Sequence, residues 1–169
     1  FFASRLTIKP AQSFELGISR AALWGGDGRP EDFTTFMRML GGLDNVGQSG
    51  INDNNQPGNQ LAGFDLRWVS PLLHLPYAFY AQGIGEDEAN GFPANYIGLF
   101  GLEWWSTYHR LYLEMADTRS RFAHHDPELN VAYEHSVYTS GYRYKGKSIG
   151  HTLDSDGSMW SLGWVRIEP

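Results

Sequence analysis

Hydrophobic and polar positions alternate along much of this chain. In Gly63 to Trp68, the residues Phe64, Leu66 and Trp68 are separated by Asp65 and Arg67. A period of two marks a β-strand, because successive side chains leave opposite faces of the pleat. The same alternation predicts nine strands: Arg5 to Lys9, Ser13 to Leu23, Leu61 to Val69, Tyr77 to Ile84, Asn95 to Trp105, Tyr108 to Ala116, Val131 to Tyr138, Tyr142 to Lys145, and Ser158 to Ile167. The connections alternate in length as well. Pro10 to Gln12, Ser70 to Pro76, Ser106 to Thr107 and Thr139 to Gly141 are short, whereas Trp24 to Gln60, Gly85 to Ala94, Asp117 to Asn130 and Gly146 to Gly157 are long. Tight turns at one end and long loops at the other characterise an up-and-down transmembrane barrel. One segment follows a helical period instead. Asp32 is placed to cap, Phe33, Phe36, Met37 and Leu40 share a face, and Gly41 and Gly42 stop the run, which predicts one short loop helix packed on the parent fold. The stretch DNVGQSGINDNNQPGN after it reads as an irregular surface loop.

Sorting the strands by parity separates two media. With Phe64, Leu66 and Trp68 taken as outward, the matching sets are Phe14, Leu16 and Ile18; Tyr77 and Phe79; Phe100, Leu102 and Trp104; Leu111, Leu113 and Met115; Val131, Tyr133 and Val137; Tyr142 and Tyr144; and Trp160, Leu162 and Trp164. The other parity carries Glu15, Asp65, Arg67, Glu103, Arg110, Glu114, Glu134, Arg143 and Lys145. That segregation matters in a bilayer, where a lysine or arginine on the lipid face near the midplane costs roughly 2–4 kcal/mol. Arg20, His135 and Arg166 break the pattern. A soluble β-sandwich would alternate too, with its apolar face turned inward. The mixed charges among Gly, Ala, Ser and Tyr, and six tryptophans near strand ends, favour a polar lumen and aromatic girdles. The fold expected is all-β: an antiparallel up-and-down transmembrane β-barrel of outer-membrane type.

Composition narrows the picture further. The 169 residues hold 15% aromatics, 20 glycines and only 19% charged residues, a balance suited to strands and turns in a single unit. A net charge of -6 with no Lys/Arg run argues against nucleic acid as a partner. The absence of cysteine excludes disulfides, thiolate zinc sites and thiol catalysis. No apolar run reaches the length of a membrane helix, which leaves strands as the means of crossing. The opening FFASRLTIKP lacks the features of a signal peptide and WVRIEP ends on proline, so residues 1–169 are expected to be one stretch of a longer barrel. Nine strands alone would leave two open edges, which hydrocarbon does not tolerate.

Five segments, in order, carry a resemblance: FELGISRAALWGG, NQLAGFDLRW, YAQGIGEDE followed by GLFGLEWW, and YRYKGKSIGHTLDSDGSMWSLGW. Together they resemble the capsule assembly Wzi family of Gram-negative outer-membrane proteins, and this chain is similar to the later half of such a barrel. The resemblance implies an eighteen-stranded barrel obstructed by extracellular loops and a periplasmic helical bundle, acting as a non-catalytic lectin for capsular polysaccharide or exopolysaccharide. It also implies outer-membrane lipid as a neighbour, a monomeric barrel when complete, and no cofactor. A porin-like solute channel and a soluble carbohydrate-active β-protein are the alternatives.

Candidate ligand contacts follow from residue chemistry. Arg143, Lys145 and Lys147 lie beside Tyr142 and Tyr144, combining cations that meet sugar carboxylates with aromatic faces that stack on rings. The competing reading is a structural network in which these cations balance Glu134 and Glu103. Glu86, Asp87 and Glu88 open a long loop and offer acceptors for sugar hydroxyls or calcium, without an EF-hand spacing. Asp65, Arg67, Glu103, Arg110, Glu114 and Glu134 are expected to form a luminal charge network. Glu103 and Glu114 on paired strands are a carboxylate pair of the kind glycosidases use, but arginine partners are the expected role. His124-His125-Asp126 lacks a placed third ligand for zinc. No phosphate-binding glycine loop and no GxSxG elbow occurs.

Overall fold

The computed structural model describes residues 1–26, 28–41, 43, 50–52, 55–56, 58–72, 75–85, 87–89, 92–121 and 126–168, with 87–89 and 92–94 described in backbone only. Seven long strands form one antiparallel sheet: β1 (Phe2–Ala11), β2 (Phe14–Trp24), β3 (Gly58–Val69), β4 (Tyr77–Gly85), β7 (Ile97–Trp105), β8 (His109–Asp117) and β11 (Ser158–Arg166). They pair strictly with their neighbours in chain order. Two small ladders lie apart from it, β5 (Asp87–Ala89) with β6 (Phe92–Ala94) and β9 (Arg143–Tyr144) with β10 (Lys147–Ser148). The sheet is open, with β1 and β11 at its edges.

Two of the nine predicted strands are absent from this wall. Val131 to Tyr138 is a run of turns, and Tyr142 to Lys145 contributes only the two residues of β9. Alternation failed there for a physical reason: Ala132 and Tyr133 are buried side by side, and Tyr133 takes a positive φ of 64°. A strand with one wet face accommodates neither. The β9–β10 hairpin turns through Lys145 and Gly146, with φ of 50° and 76°, the double positive φ that suits a tight two-residue hairpin.

Register puts the predicted sets on shared faces. Leu16 pairs with Leu66, Leu66 with Ala81, Ala81 with Phe100, Phe100 with Met115 and Met115 with Trp160, a continuous apolar row across six strands. The opposite face carries Arg5, Glu15, Asp65, Arg67, Tyr80, Glu103, Arg110, Tyr112 and Glu114, one residue out of phase. Glycines make room on that inner face. A Cβ at Gly101 would fall 2.0 Å from the Tyr80 ring, and one at Gly163 would fall 2.1 Å from that of Tyr112. Each ring therefore lies flat over its cross-strand glycine.

The predicted helix exists as α1 (Phe33–Leu40), where the Asp32 carboxylate accepts from Thr34 N at 2.9 Å and Thr35 N at 3.0 Å. Gly41 caps its end, while Gly42 lies outside the described residues. Its packing face is rotated from the predicted one. Met39 is fully buried and Phe36 meets Trp24 and Phe2, whereas Phe33 and Met37 face solvent. The helix covers the outward side of the sheet near the long-loop end, and Arg20, on that outward parity, donates to the Met39 carbonyl at 3.0 Å and to Gln60. Arg20 thus breaks the apolar pattern only where the helix covers the outward face. His135 is no exception either, because it lies in the turns, where its Nδ1 accepts from Val137 N and Tyr138 N. No helix among the described residues is long and apolar enough to cross a membrane.

Candidate functional site

The inner face divides by height. Toward the short turns it is charged, and the charges pair across strands. Arg5 donates to Asp65 at 2.7 Å and lies 3.9 Å from Glu15, which also pairs with Lys9 at 2.9 Å. Glu103 sits between Arg67, at 2.6 Å, and Arg110, its side chain only 4% exposed. Tyr80 donates its hydroxyl to Glu114 at 2.9 Å. Glu103 pairs in register with Tyr112 and Glu114 with Gly101, so the two carboxylates are diagonal and each is engaged by a different donor.

Toward the long loops the inner face becomes apolar and is covered. Leu61 and Ile97 from the wall pack with Ala132, Tyr133 and Tyr142, and Ala21, Leu23 and Ile84 surround them. The covering segment is the long β8–β11 connection, residues 118–157. It is tied to the wall at several points. Tyr142 donates to the Asn59 carbonyl at 2.7 Å, Tyr138 to the Gly25 carbonyl at 3.0 Å, and Ser120 to the Asn95 carbonyl at 3.0 Å. Its own shape is held by Tyr133, whose carbonyl accepts from Tyr142 N at 2.9 Å and whose hydroxyl accepts from His151 N at 3.2 Å. Asn130, Gly141, Asp154 and Asp156 also take positive φ. So many left-handed residues specify one loop conformation. A cavity of about 430 Å3 remains between this segment and the wall, lined in part by Arg5, Ser19, Leu61, Tyr133, Tyr142 and Ile149.

The candidate ligand residues separate on this frame. Tyr142 is buried and holds the segment to the wall. Arg143 is bound by Glu134 and, at 2.7 Å, by Asp154, carboxylates that raise its already high pKa further, Glu134 foremost. Sequence reading set Glu103 against it, but Glu103 belongs to the wall network, and Glu134 lies in the loop rather than on a luminal strand. Tyr144, Lys145 and Lys147 stand at the hairpin tip. Tyr144 is 68% exposed, and Lys145 Nζ lies 5.4 Å from its ring centroid. Among the described residues neither lysine has an ion-pair partner, in contrast to the arginines of the inner wall. Glu86 lies outside the described residues, as do His124 and His125, and Asp87 and Glu88 are described in backbone only, within β5. Among the described residues no cluster of His, Asp and Glu is grouped to hold a metal ion.

Sequence reasoning missed several of these groups. Arg5 and Lys9 complete the charge network through Glu15 and Asp65, and the alternation of Arg5, Thr7 and Lys9 already placed both on one parity. Asp154 and the Asp117–Arg119 pair, bonded through Arg119 Nε at 2.9 Å, had no periodic signal. They depend on loop shape.

Comparison with known proteins follows the same geometry. The family model described as capsule assembly protein Wzi matches residues 1–166. An uncharacterized 55.8 kDa protein in the cps region of Klebsiella pneumoniae is 42% identical over 124 residues, 70% of this chain and 24% of that protein. A solved structure from Escherichia coli, Wzi, an outer-membrane protein involved in group 1 capsule assembly and a carbohydrate-binding β-barrel, is 34% identical with a TM-score of 0.76. The match covers 96% of this chain and 33% of that one. The chain thus spans a quarter to a third of the length of these relatives. Seven wall strands stand against the nine that alternation predicted, and a third of the solved relative's chain against the later half of a barrel that the resemblance implied.

Proposed function

This chain belongs to the capsule assembly protein Wzi family, and from that premise we propose that residues 1–169 are one stretch of the wall and extracellular cover of an outer-membrane β-barrel. The complete protein, a monomeric barrel in the cell outer membrane of a Gram-negative bacterium, holds capsular polysaccharide or exopolysaccharide at the surface without cleaving it. One observation carries the reading: a wall apolar outside and charge-paired inside is closed at its long-loop end by a sculpted segment that presents, beside an aromatic ring, two lysines with no ion-pair partner among the described residues. The carboxylates of the inner wall support binding rather than hydrolysis, since each is already held by arginine, lysine or tyrosine.

Within this reading Tyr144, Lys145 and Lys147 contact the polymer, and Tyr142 and Arg143 position them. The side chains of Glu86, Asp87 and Glu88 are retained as hydroxyl acceptors from a neighbouring long loop. Two exposed lysines contribute modestly and in a salt-dependent way. Replacing both, Lys145→Ala with Lys147→Ala in the complete protein, is expected to lower retention of purified capsular polysaccharide about threefold to tenfold at low salt, with the melting transition unchanged. Equal retention by the double variant on intact cells and in solution would take the hairpin tip out of the site.

A further inference from the structure

The outward face of the wall does not end where its apolar band ends. On β2 the band runs through Phe14, Leu16 and Ile18, and the next outward residue is Arg20, followed by Ala22 and Trp24 beneath α1. Phe36 of α1 contacts Trp24, while the carbonyl of Met39, three residues later, is reached by Arg20, four residues closer to the band. The helix therefore descends along the outside of the wall, its C-terminal end nearest the apolar band. Its free side is apolar where an element in water would be polar. Phe33 is 77% exposed, Met37 49%, and Leu43, just past the helix, 59%. Arg38 in the last turn is exposed and has no ion-pair partner among the described residues, whereas Glu31 and Asp32 lie at the opposite, upper end.

We propose that α1 rests in the outer leaflet of the membrane as an interfacial helix, with Met37 and Leu43 in the boundary between headgroups and acyl chains and Arg38 against lipid phosphates. The occupant is lipid because the free face of α1 continues the same outward surface that carries Leu16, Leu66, Phe100 and Trp160. Apolar side chains on one side and a cation at the low end are the two ingredients of interfacial binding, and charge complementarity selects an anionic headgroup. The inference rests on the reading that the outward wall meets hydrocarbon.

The chain has no cysteine, so Met37→Cys, Leu113→Cys and Lys147→Cys are made in turn in the complete protein, with any cysteine elsewhere removed. Each is labelled with a fluorophore in vesicles of phosphatidylglycerol and phosphatidylethanolamine. Quenchers are placed near the lipid headgroup, deep in the acyl chain, or in the water as acrylamide. The expected result is a Met37 label quenched about threefold more by the headgroup-level lipid than the Lys147 label is, with the Leu113 label responding to the deep quencher. A Met37 label that behaves like Lys147, or that is shielded from all three quenchers by protein, overturns the proposal while the Leu113 result leaves the membrane wall standing. A Leu113 label quenched by acrylamide alone removes that wall and this inference with it.

Discussion

The lower and upper halves of the inner wall come from the same strands and the same parity, yet they solve opposite problems. Below, Glu103 is wedged between Arg67 and Arg110, and Asp65 and Glu15 receive Arg5 and Lys9. Above, Ala21, Leu23, Leu61, Ile84 and Ile97 meet the two buried tyrosines of the covering segment. Parity tells which side of the wall a residue faces, but only height tells whether water or protein covers it. A luminal leucine is therefore evidence of a cover, just as a luminal arginine is evidence of a partner.

The largest test of this contrast is at the cover. Tyr142→Ala removes a fully buried ring and its bond to Asn59, a loss of about 3–5 kcal/mol by the usual cost of such truncations. The segment should detach before the wall unfolds, so trypsin should cut rapidly after Arg143, Lys145 and Lys147 in the detergent-folded complete protein. An unchanged cleavage rate would mean that the cover does not depend on its contact with the wall. The neighbouring Tyr144→Ala, at the exposed tip, should leave that rate as it is.

A smaller effect is expected below. Glu103→Gln keeps the shape of the side chain and removes the charge that joins Arg67 to Arg110. With one partner deeply shielded and the two arginines half-exposed, the discounted cost is about 1–3 kcal/mol. It should appear as a lower urea midpoint with no new trypsin site in residues 118–157. Coupled loss of both regions would erase the distinction between them.

The smallest effect concerns α1. Hydrogen bonds from the Thr35 backbone first, and from the Thr35 hydroxyl and Thr34 backbone, hold the Asp32 carboxyl below its ordinary range. A lowered folded pKa means stability that is present above the unfolded value and lost as pH falls through the folded one, so the helix start should loosen only below about pH 4. Amide exchange at Thr34 and Thr35, rising in acid and already raised in Asp32→Ala at neutral pH, would register it.

Much of the wall was legible because a half-buried strand writes its environment into alternate residues. Leu16, Leu66 and Leu113 were placed on the outward side, and Asp65, Arg67 and Glu103 on the inner, from period alone, as the register bears out. The cover was not legible. Tyr133 to Val137 alternates well enough to mimic a strand, but Tyr133 takes a left-handed conformation, and the cover as a whole is placed by bonds far along the chain, such as those of Tyr142 to the carbonyls of Asn59 and Ala21. The packing face of α1 failed for a similar reason. Helical period locates an apolar stripe, but it was Trp24 and Phe2 that chose Phe36, and not Phe33, as the side to bury.

The pairing of β8 with β11 across residues 118–157 also bears on how the molecule assembles. The hairpin of β7 with β8 closes over a tight turn, while this one must bring together ends separated by a connection roughly tenfold longer. That adds an entropic barrier of about 2 kcal/mol. Tyr142 and Tyr133 have no surface to settle on until β2, β3 and β7 are in place, so zipping of the last hairpin and descent of its lid are expected to be late, joint events in biogenesis.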